Sequence, residues 1–410
     1  MRYLALYYVV AFIVIFSTLV FIILFGRLPA FKGTLVGSAH IFLWHNIPSR
    51  LVAIDRQLTG GRIYSYTNRW TSHLVNDKNW TVSIFYLAII TGSLFFFFKE
   101  AWQFVRSPIH RLFIPPLAFQ PYVYFYFSAF TDPGYITNEN VSKMTEEFEH
   151  DDIIFYSDQP PCRTCHFSKL ARSKHCSVCK HCIARMDHHC AWINNCVGYY
   201  NYRYFLGFLL SNLIVLIYGS YLTFDVLFQE YLKQYYAEEL RPKYYWASYS
   251  KWIRLIHSRS WTPYVSSLFM ISTLVAPLII AFLIQHIIYI HQGMTTNESE
   301  KWAEVQFDVE LGMLYVYETK ETAPKDIGSS SGSDEEASLS TYLGHVENLK
   351  PRIDSRRIYV HVYENGEINR LIPVGFSQVE RVSSLEAIDN IYDKGGFFNN
   401  IKDIIWPKHF

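Results

Sequence analysis

Outside one short window this chain has no cysteine: all seven lie between Cys162 and Cys196 of 410 residues. Seven is odd, so the thiols cannot all pair as disulfides, and their spacings suit metal in a reducing compartment. Neither sign of charge is in excess, with 37 Lys and Arg against 36 Asp and Glu; that balance leaves no electrostatic footprint for nucleic acid. Charge is also missing from long stretches. Tyr3 to Phe25, Thr81 to Phe98 and Leu112 to Phe130 hold no charged side chain, Tyr204 to Phe228 holds only Asp225, and Tyr264 to Ile290 holds no full charge. Half of the residues are hydrophobic. Gathered into runs of this length they read as membrane spans of about 20 residues, which excludes a single soluble core. The same scarcity of ionisable groups within the runs argues against a metal transporter.

The cysteine window also holds five of the sixteen histidines. Cys162 and Cys165 form one C-x2-C pair, Cys176 and Cys179 another. Each such pair bends the backbone so that two sulfurs face one ion, and a closed structural zinc site takes four ligands. Two pairs therefore require four more ligands, and Cys182, Cys190, Cys196, His166, His175, His181, His188 and His189 are the candidates. If one Cys and one His complete each site, one cysteine is left unbound, and parity does not identify it.

Asp187-His188-His189-Cys190, followed by Trp192 and by Asn195-Cys196-Val197-Gly198, resembles the cysteine-rich domain of the Asp-His-His-Cys (DHHC) protein S-acyltransferases, or palmitoyltransferases; all seven cysteines fit that family's spacing. The resemblance implies two structural zinc ions, one on Cys162, Cys165, His175 and Cys182, the other on Cys176, Cys179, His189 and Cys196. It further implies that Cys190 is the acyl-accepting nucleophile, with His188 as its base and Asp187 orienting His188. Ala191 stands where the family often has proline, outside both sets. The implied reaction moves a long-chain acyl group, palmitoyl, from acyl-CoA to Cys190 and then to cysteine thiols of membrane-associated substrate proteins. Lys174, Lys180, Arg185 and Arg203 are candidates for the CoA phosphates. A competing reading of the same window is a non-enzymatic membrane scaffold that binds partners through its zinc domain; a spare thiol beside a histidine favours the enzyme.

Shorter stretches resemble the family's other motifs: Asp132-Pro133-Gly134 after the third run, Thr295-Thr296-Asn297-Glu298 after the last, and Asn400 in a C-terminal aromatic stretch. By their residues alone the first is good turn chemistry, the second a helix capping box, and the third a Gly-Gly turn beside packed aromatics.

The expected fold is an all-α integral membrane protein with four or five transmembrane helices, a cytosolic two-zinc cysteine-rich domain and a small β element in the C-terminal tail. The boundaries are an N-terminal membrane part over 1–130 (spans about 3–25, 81–98 and 112–130), the cysteine-rich domain over 131–203, further spans within 204–291 (about 204–228 and 264–290), and a cytosolic tail over 292–410. Pro115, Pro116 and Pro121 interrupt the third run and leave a re-entrant piece as its other reading. Placing the thiols in the cytosol sets the N-terminus on the far side. Seven basic residues follow the first run and only Arg2 precedes it, in agreement. In the tail, Val305, Phe307 and Val309 alternate as in a strand within Lys301 to Tyr317. Residues 322–341 read as a disordered linker, and Asn365-Gly366 as a hairpin turn. An endomembrane, endoplasmic reticulum or Golgi, is the expected location.

Overall fold

The computed structural model describes residues 18–19, 21–23, 25–28, 31–151, 153–156, 159–236, 263–319, 357–362 and 376–409. Most of the first apolar run, the 322–341 linker and the Asn365-Gly366 turn lie outside these residues.

In lipid every backbone polar group has to bond within the protein, so uncharged runs become helices. The chain enters through α1 (Leu35–Ile41), a π-helical turn (Phe42–Asn46), α2 (Ile47–Thr59) and α3 (Arg62–Asn76). Gly60 and Gly61, both left-handed with φ of 71° and 85°, separate the last two. The long helices follow: α4 (Thr81–Phe96), α5 (Pro108–Phe130), α7 (Tyr202–Tyr236) and α8 (Pro263–His291), with α6 (Val141–Glu147) between α5 and α7. Among the described residues, three stretches are long and apolar enough to cross a membrane: Thr81–Phe104, Tyr202–Glu230 and Tyr264–His291. The run with three internal prolines is one continuous helix, α5, but it does not join those three. Helix α7 packs on α5 and α8. On α7, Gly207 leaves room for the ring of Tyr124 from α5, which a methyl group would strike.

The cysteine window has little regular structure. Two antiparallel hairpins carry it, β1 (Lys174–Cys176) with β2 (His181–Ile183) and β3 (His188–Cys190) with β4 (Asn195–Val197). The tail begins with α9 (Thr296–Leu311) and continues as a three-stranded antiparallel sheet, in which β5 (Leu314–Thr319) lies between β6 (Arg357–His361) and β7 (Phe376–Arg381). It ends in α10 (Phe397–Ile405). The alternation at Val305, Phe307 and Val309 does not produce a strand. Trp302, Val305 and Val309 are buried while Phe307 is exposed. That spacing is one face of a helix, and the strand starts only after the left-handed cap at Gly312. This helical face shares one core with Ile136, Met144, Ile154 and Leu170 of the cysteine-rich part, so the tail and that part fold together.

A second junction joins the cysteine window to α5. The last carbonyls of a helix lack intrahelical partners. Here the Asn195 amide donates to the carbonyls of Ser128 (3.3 Å) and Thr131 (3.0 Å), and the Asn201 amide donates to Ser128 (3.2 Å) and Cys196 (2.7 Å). Gly198 makes this approach possible. A Cβ there would collide with the Pro133 carbonyl oxygen and come within 2.7 Å of Ile183. Since one of the atoms met is backbone, Gly198→Ala is expected to lower stability by about 1–3 kcal/mol, the usual cost of overpacking. A thermal unfolding midpoint in detergent equal to that of the parent would show that the junction yields freely.

Candidate functional site

The two C-x2-C turns are built alike. The Cys165 amide points to the Cys162 sulfur at 3.5 Å and the Cys179 amide to the Cys176 sulfur at 3.3 Å. The residue after each pair, His166 or Lys180, is left-handed at φ 62° and donates its amide to the first cysteine's carbonyl at 2.8 Å. The hairpins then set a histidine opposite a cysteine, His175 across from Cys182 and His189 across from Cys196. Opposed residues bring their Cβ atoms to about 5 Å, so each hairpin meets one turn and closes a cluster of four.

One cluster is Cys162, Cys165, His175 and Cys182; the other is Cys176, Cys179, His189 and Cys196. In the first, His175 Nδ1 lies 3.4 Å from the Cys165 sulfur and 3.8 Å from that of Cys182. In the second, His189 Nδ1 lies 3.7, 3.4 and 3.6 Å from the sulfurs of Cys176, Cys179 and Cys196. A tetrahedral zinc with Zn–S and Zn–N bonds of about 2.3 and 2.0 Å requires ligand-to-ligand edges of roughly 3.5–3.8 Å. Both clusters fit a zinc ion. His166 and His181 stand outside them, and so does Cys190.

Cys190 is buried at the end of β3, in an apolar cluster with Phe125, Ile193, Tyr202 and Phe205. His188 stands two residues before it on the same strand, close enough for the ring and the thiol to interact electrostatically. His188 Nδ1 is 2.7 Å from Asp187 Oδ2. Asp187 in turn accepts from the Thr296 amide (2.8 Å, to Oδ1) and the Thr296 hydroxyl (2.9 Å, to Oδ2). Burial alone would push this carboxyl up. The His188 bond, the neighbouring imidazoles and the Thr296 amide outweigh it and hold it down to about 2. Burial likewise opposes charge on His188, yet the bond to Asp187 and the neighbouring Cys190 raise it to about 10. The His188 ring is wedged edge-on against Phe205, centroids 5.2 Å apart, and lies 6.2 Å from the ring of His286 on α8. His286 is itself buried and bonded through Nδ1 to the Tyr202 hydroxyl at 2.8 Å.

Thr296 is placed by the corner between α8 and α9. Thr295 and Glu298 form a reciprocal capping box, and the Thr295 hydroxyl also reaches the Met186 carbonyl at 3.3 Å. The Glu298 carboxylate is clasped by Arg172, Nε at 2.7 Å and Nη2 at 2.6 Å, and Nη2 also donates to the Gly293 carbonyl at 2.9 Å. Both side chains are almost wholly buried. Asn400, from the tail, donates to the carbonyl of His291 at the end of α8 (3.1 Å) and to Asp393 (2.8 Å). Asp132 Oδ1 accepts from the amides of Gly134 and Tyr135, and Gly134 (φ 103°) accepts from Ala184. Three of these anchors, Arg172, Asn201 and His286, carried no signal in the sequence, and Asn195 stood in a family-like stretch that did not give its role. Each acts on a residue more than sixty positions away or through a loop carbonyl, so no local pattern marks it. Of the four basic residues near the site, Lys174 bonds Asn297, Arg203 bonds the Ile405 carbonyl and Arg185 is buried.

Two outcomes test this geometry. Cys176→Ala removes a sulfur from one cluster, and the purified protein is expected to carry about one zinc fewer, because a closed site needs all four ligands; an unchanged metal content would refute the ligand set. Glu298→Ala leaves Arg172 buried and unpaired, which costs about 3–5 kcal/mol. A midpoint of thermal unfolding that does not fall would show that the pair does not hold the corner.

A model of the DHHC palmitoyltransferase family matches residues 156–303, the stretch that contains both clusters, Cys190 and the capping box. Similar curated proteins extend the likeness over the rest of the chain. "Palmitoyltransferase swf1" of Emericella nidulans is 34% identical, over 94% of this chain and 93% of its own. "Palmitoyltransferase swf1" of Schizosaccharomyces pombe is 30% identical over 98% and 97%, and that of Aspergillus fumigatus 38% over 78% and 84%. With a cysteine that stands outside both clusters beside a histidine, and with relatives that align nearly end to end, the chain belongs to the DHHC palmitoyltransferase family.

Proposed function

We propose that this palmitoyltransferase carries its acyl group on Cys190 between two transfers. One observation supports this most: Cys190 is outside both four-residue clusters and stands beside His188, one nitrogen of which is held by Asp187. A free thiol is a poor nucleophile, and a histidine oriented by a buried carboxylate is the usual means of activating one. In the first transfer His188 takes the Cys190 proton and the sulfur attacks the thioester carbonyl of an acyl-CoA. The carbon–sulfur bond to CoA breaks, and the CoA thiolate leaves with a proton. In the second, a cysteine thiol of a membrane-associated protein gives its proton to His188 and its sulfur attacks the acyl carbonyl; the carbon–sulfur bond to Cys190 breaks, and Cys190 leaves as thiol with that proton. Asp187 keeps one face of the imidazole bonded so that the other stays directed at Cys190.

The eight cluster residues would hold two zinc ions, which when bound act as cross-links in a segment with little regular structure. The acyl chain has an apolar place to go. A cavity between α4, α5, α7 and α8, lined by Leu94, Phe97, Ile114, Leu216, Leu222 and Leu268 among others, is not at Cys190 itself. Along α7 it begins at Val215, about 15 Å beyond Phe205 at 1.5 Å per residue, so a long chain attached at Cys190 and running down the bundle would reach it. On this reading α5 crosses the membrane as a fourth span despite its prolines, the 3–25 run is a fifth, and the cysteine-rich part and the tail face the cytosol of an endomembrane.

The test is acyl-enzyme formation. The parent, in detergent with labelled palmitoyl-CoA, is expected to take up hydroxylamine-sensitive label, and Cys190→Ser to take up none while keeping the parent's zinc content. Equal label on both would remove Cys190 from the mechanism. No label on either, with metal intact, would favour a binding scaffold.

A further inference from the structure

The reaction leaves α2 and α3 without a role, and both expose a continuous apolar stripe. In the turn before α2 and along it, Trp44, Ile47, Leu51, Ile54 and Leu58 recur at alternating steps of three and four, one face of a helix. Trp44, Leu51, Ile54 and Leu58 are 65%, 59%, 50% and 78% exposed. On α3 the stripe is Ile63, Tyr66 and Trp70, all exposed. The two helices meet at the Gly60-Gly61 corner, and neither stripe is buried on the other.

Their charge is of one sign. Arg50, Arg56, Arg62 and Arg69 lie on these helices, and Asp55 is the lone acid from Leu35 to Asn76. Asp55 is turned inward, where its carboxylate accepts from the Tyr64 amide at 2.8 Å and from the Thr59 hydroxyl. The tethers are short. Four residues separate Asn76 from Thr81, where a membrane-crossing helix begins, and four residues reach at most about 14 Å. Ser83, in the first turn of that helix, donates to the Ala191 carbonyl at 3.3 Å, which sets this end of α4 beside the Cys190 loop. Upstream, Lys32 lies 4.6 Å over the ring of Phe307 on α9. The pair is therefore on the same side of the bundle as the cysteine-rich part, at the level where the chain enters the membrane.

We propose that α2 and α3 are an interfacial amphipathic pair that lies in the headgroup layer of an anionic membrane. The Trp44–Leu58 and Ile63–Trp70 stripes enter the acyl boundary, and the four arginines meet lipid phosphates. Apolar stripes with Trp and Tyr, basic flanks and a low content of acid are the chemistry of that layer. A partner protein is disfavoured by the short tether to Thr81, which keeps the stripes at the bilayer surface.

The test places an environment-sensitive fluorescent residue at Leu58, or at Arg56 on the opposite face, in the full chain. Each labelled protein is reconstituted in nanodiscs of phosphatidylcholine with or without phosphatidylserine. The Leu58 probe is expected to be quenched by phospholipid brominated near the glycerol backbone. It should also be at least about threefold less accessible to aqueous iodide than the Arg56 probe, as burial of an apolar face by 5–10 Å implies. Replacing Arg50, Arg56, Arg62 and Arg69 by Gln is expected to abolish the additional shielding that phosphatidylserine confers on Leu58. Equal iodide access at both positions overturns the proposal. So does shielding of Leu58 without quenching by brominated lipid: if lost in discs holding one chain it assigns the stripe to a second copy, and if kept there, to another segment of this chain.

Discussion

A carboxylate with 2% of its surface exposed needs its oxygens bonded, and Asp187 is that group. Its partners come from two places far apart in the chain, His188 beside it and Thr296 at the start of α9. The requirement couples the end of the α8 helix to the β3 hairpin. Much of the packing around the site serves that coupling. Arg172 holds Glu298, Glu298 closes the box that sets Thr295 and Thr296, and Asn400 bonds the last turn of α8 from the other side. Removing one charge from such a chain leaves another buried without its partner.

The spare thiol has a structural origin. Every ligand of the first cluster has its counterpart in the second fourteen residues on, from Cys162 and Cys176 through to Cys182 and Cys196. In the first copy, the residue after the cluster histidine is Cys176, which opens the next cluster. In the second copy the same place is Cys190, and no third cluster follows. The geometry that would deliver a sulfur to a metal instead delivers it to the apolar side of the hairpin, against Phe205 and the ends of the membrane helices. His188 then stands next to it, and the proposed activation of the thiol rests on that neighbour.

The C-x2-C pairs, the uncharged runs and the Asp-His-His-Cys stretch were legible because each is a local pattern whose residues answer to one partner or one solvent. The curated relatives and the family match carry the activity read from them. The tail was harder. Three alternating residues fit a strand, but they also fit a helix once Trp302 is counted, and the burial of Trp302, Val305 and Val309 selects the helix. Arg172, Asn195, Asn201 and His286 are ordinary residues by type. Their roles arise from carbonyls and rings that the fold brings to them from other elements, such as Ser128 and Thr131 at the end of α5. The segment between Gly26 and Asn79 holds no uncharged run long enough to span a membrane, and its apolar faces show only at helical spacing.

Cys190 belongs to two environments at once. Its neighbours on one side are Phe125, Phe205 and Phe208, which continue into the helices of the bundle; on the other side is the polar chain of His188, Asp187 and Thr296. A thioester between a long acyl chain and CoA has the same division, with the chain requiring an apolar host and the phosphates requiring water. Deep among the membrane helices the sulfur would be far from those polar groups, and away from the helices a long acyl chain carried there, as the proposed mechanism requires, would lack an apolar host. The junction through Asn195, Asn201 and Gly198 fixes it between the two. Neither cluster includes Cys190, so under the proposed mechanism the holding of the loop and the chemistry of its thiol depend on different residues.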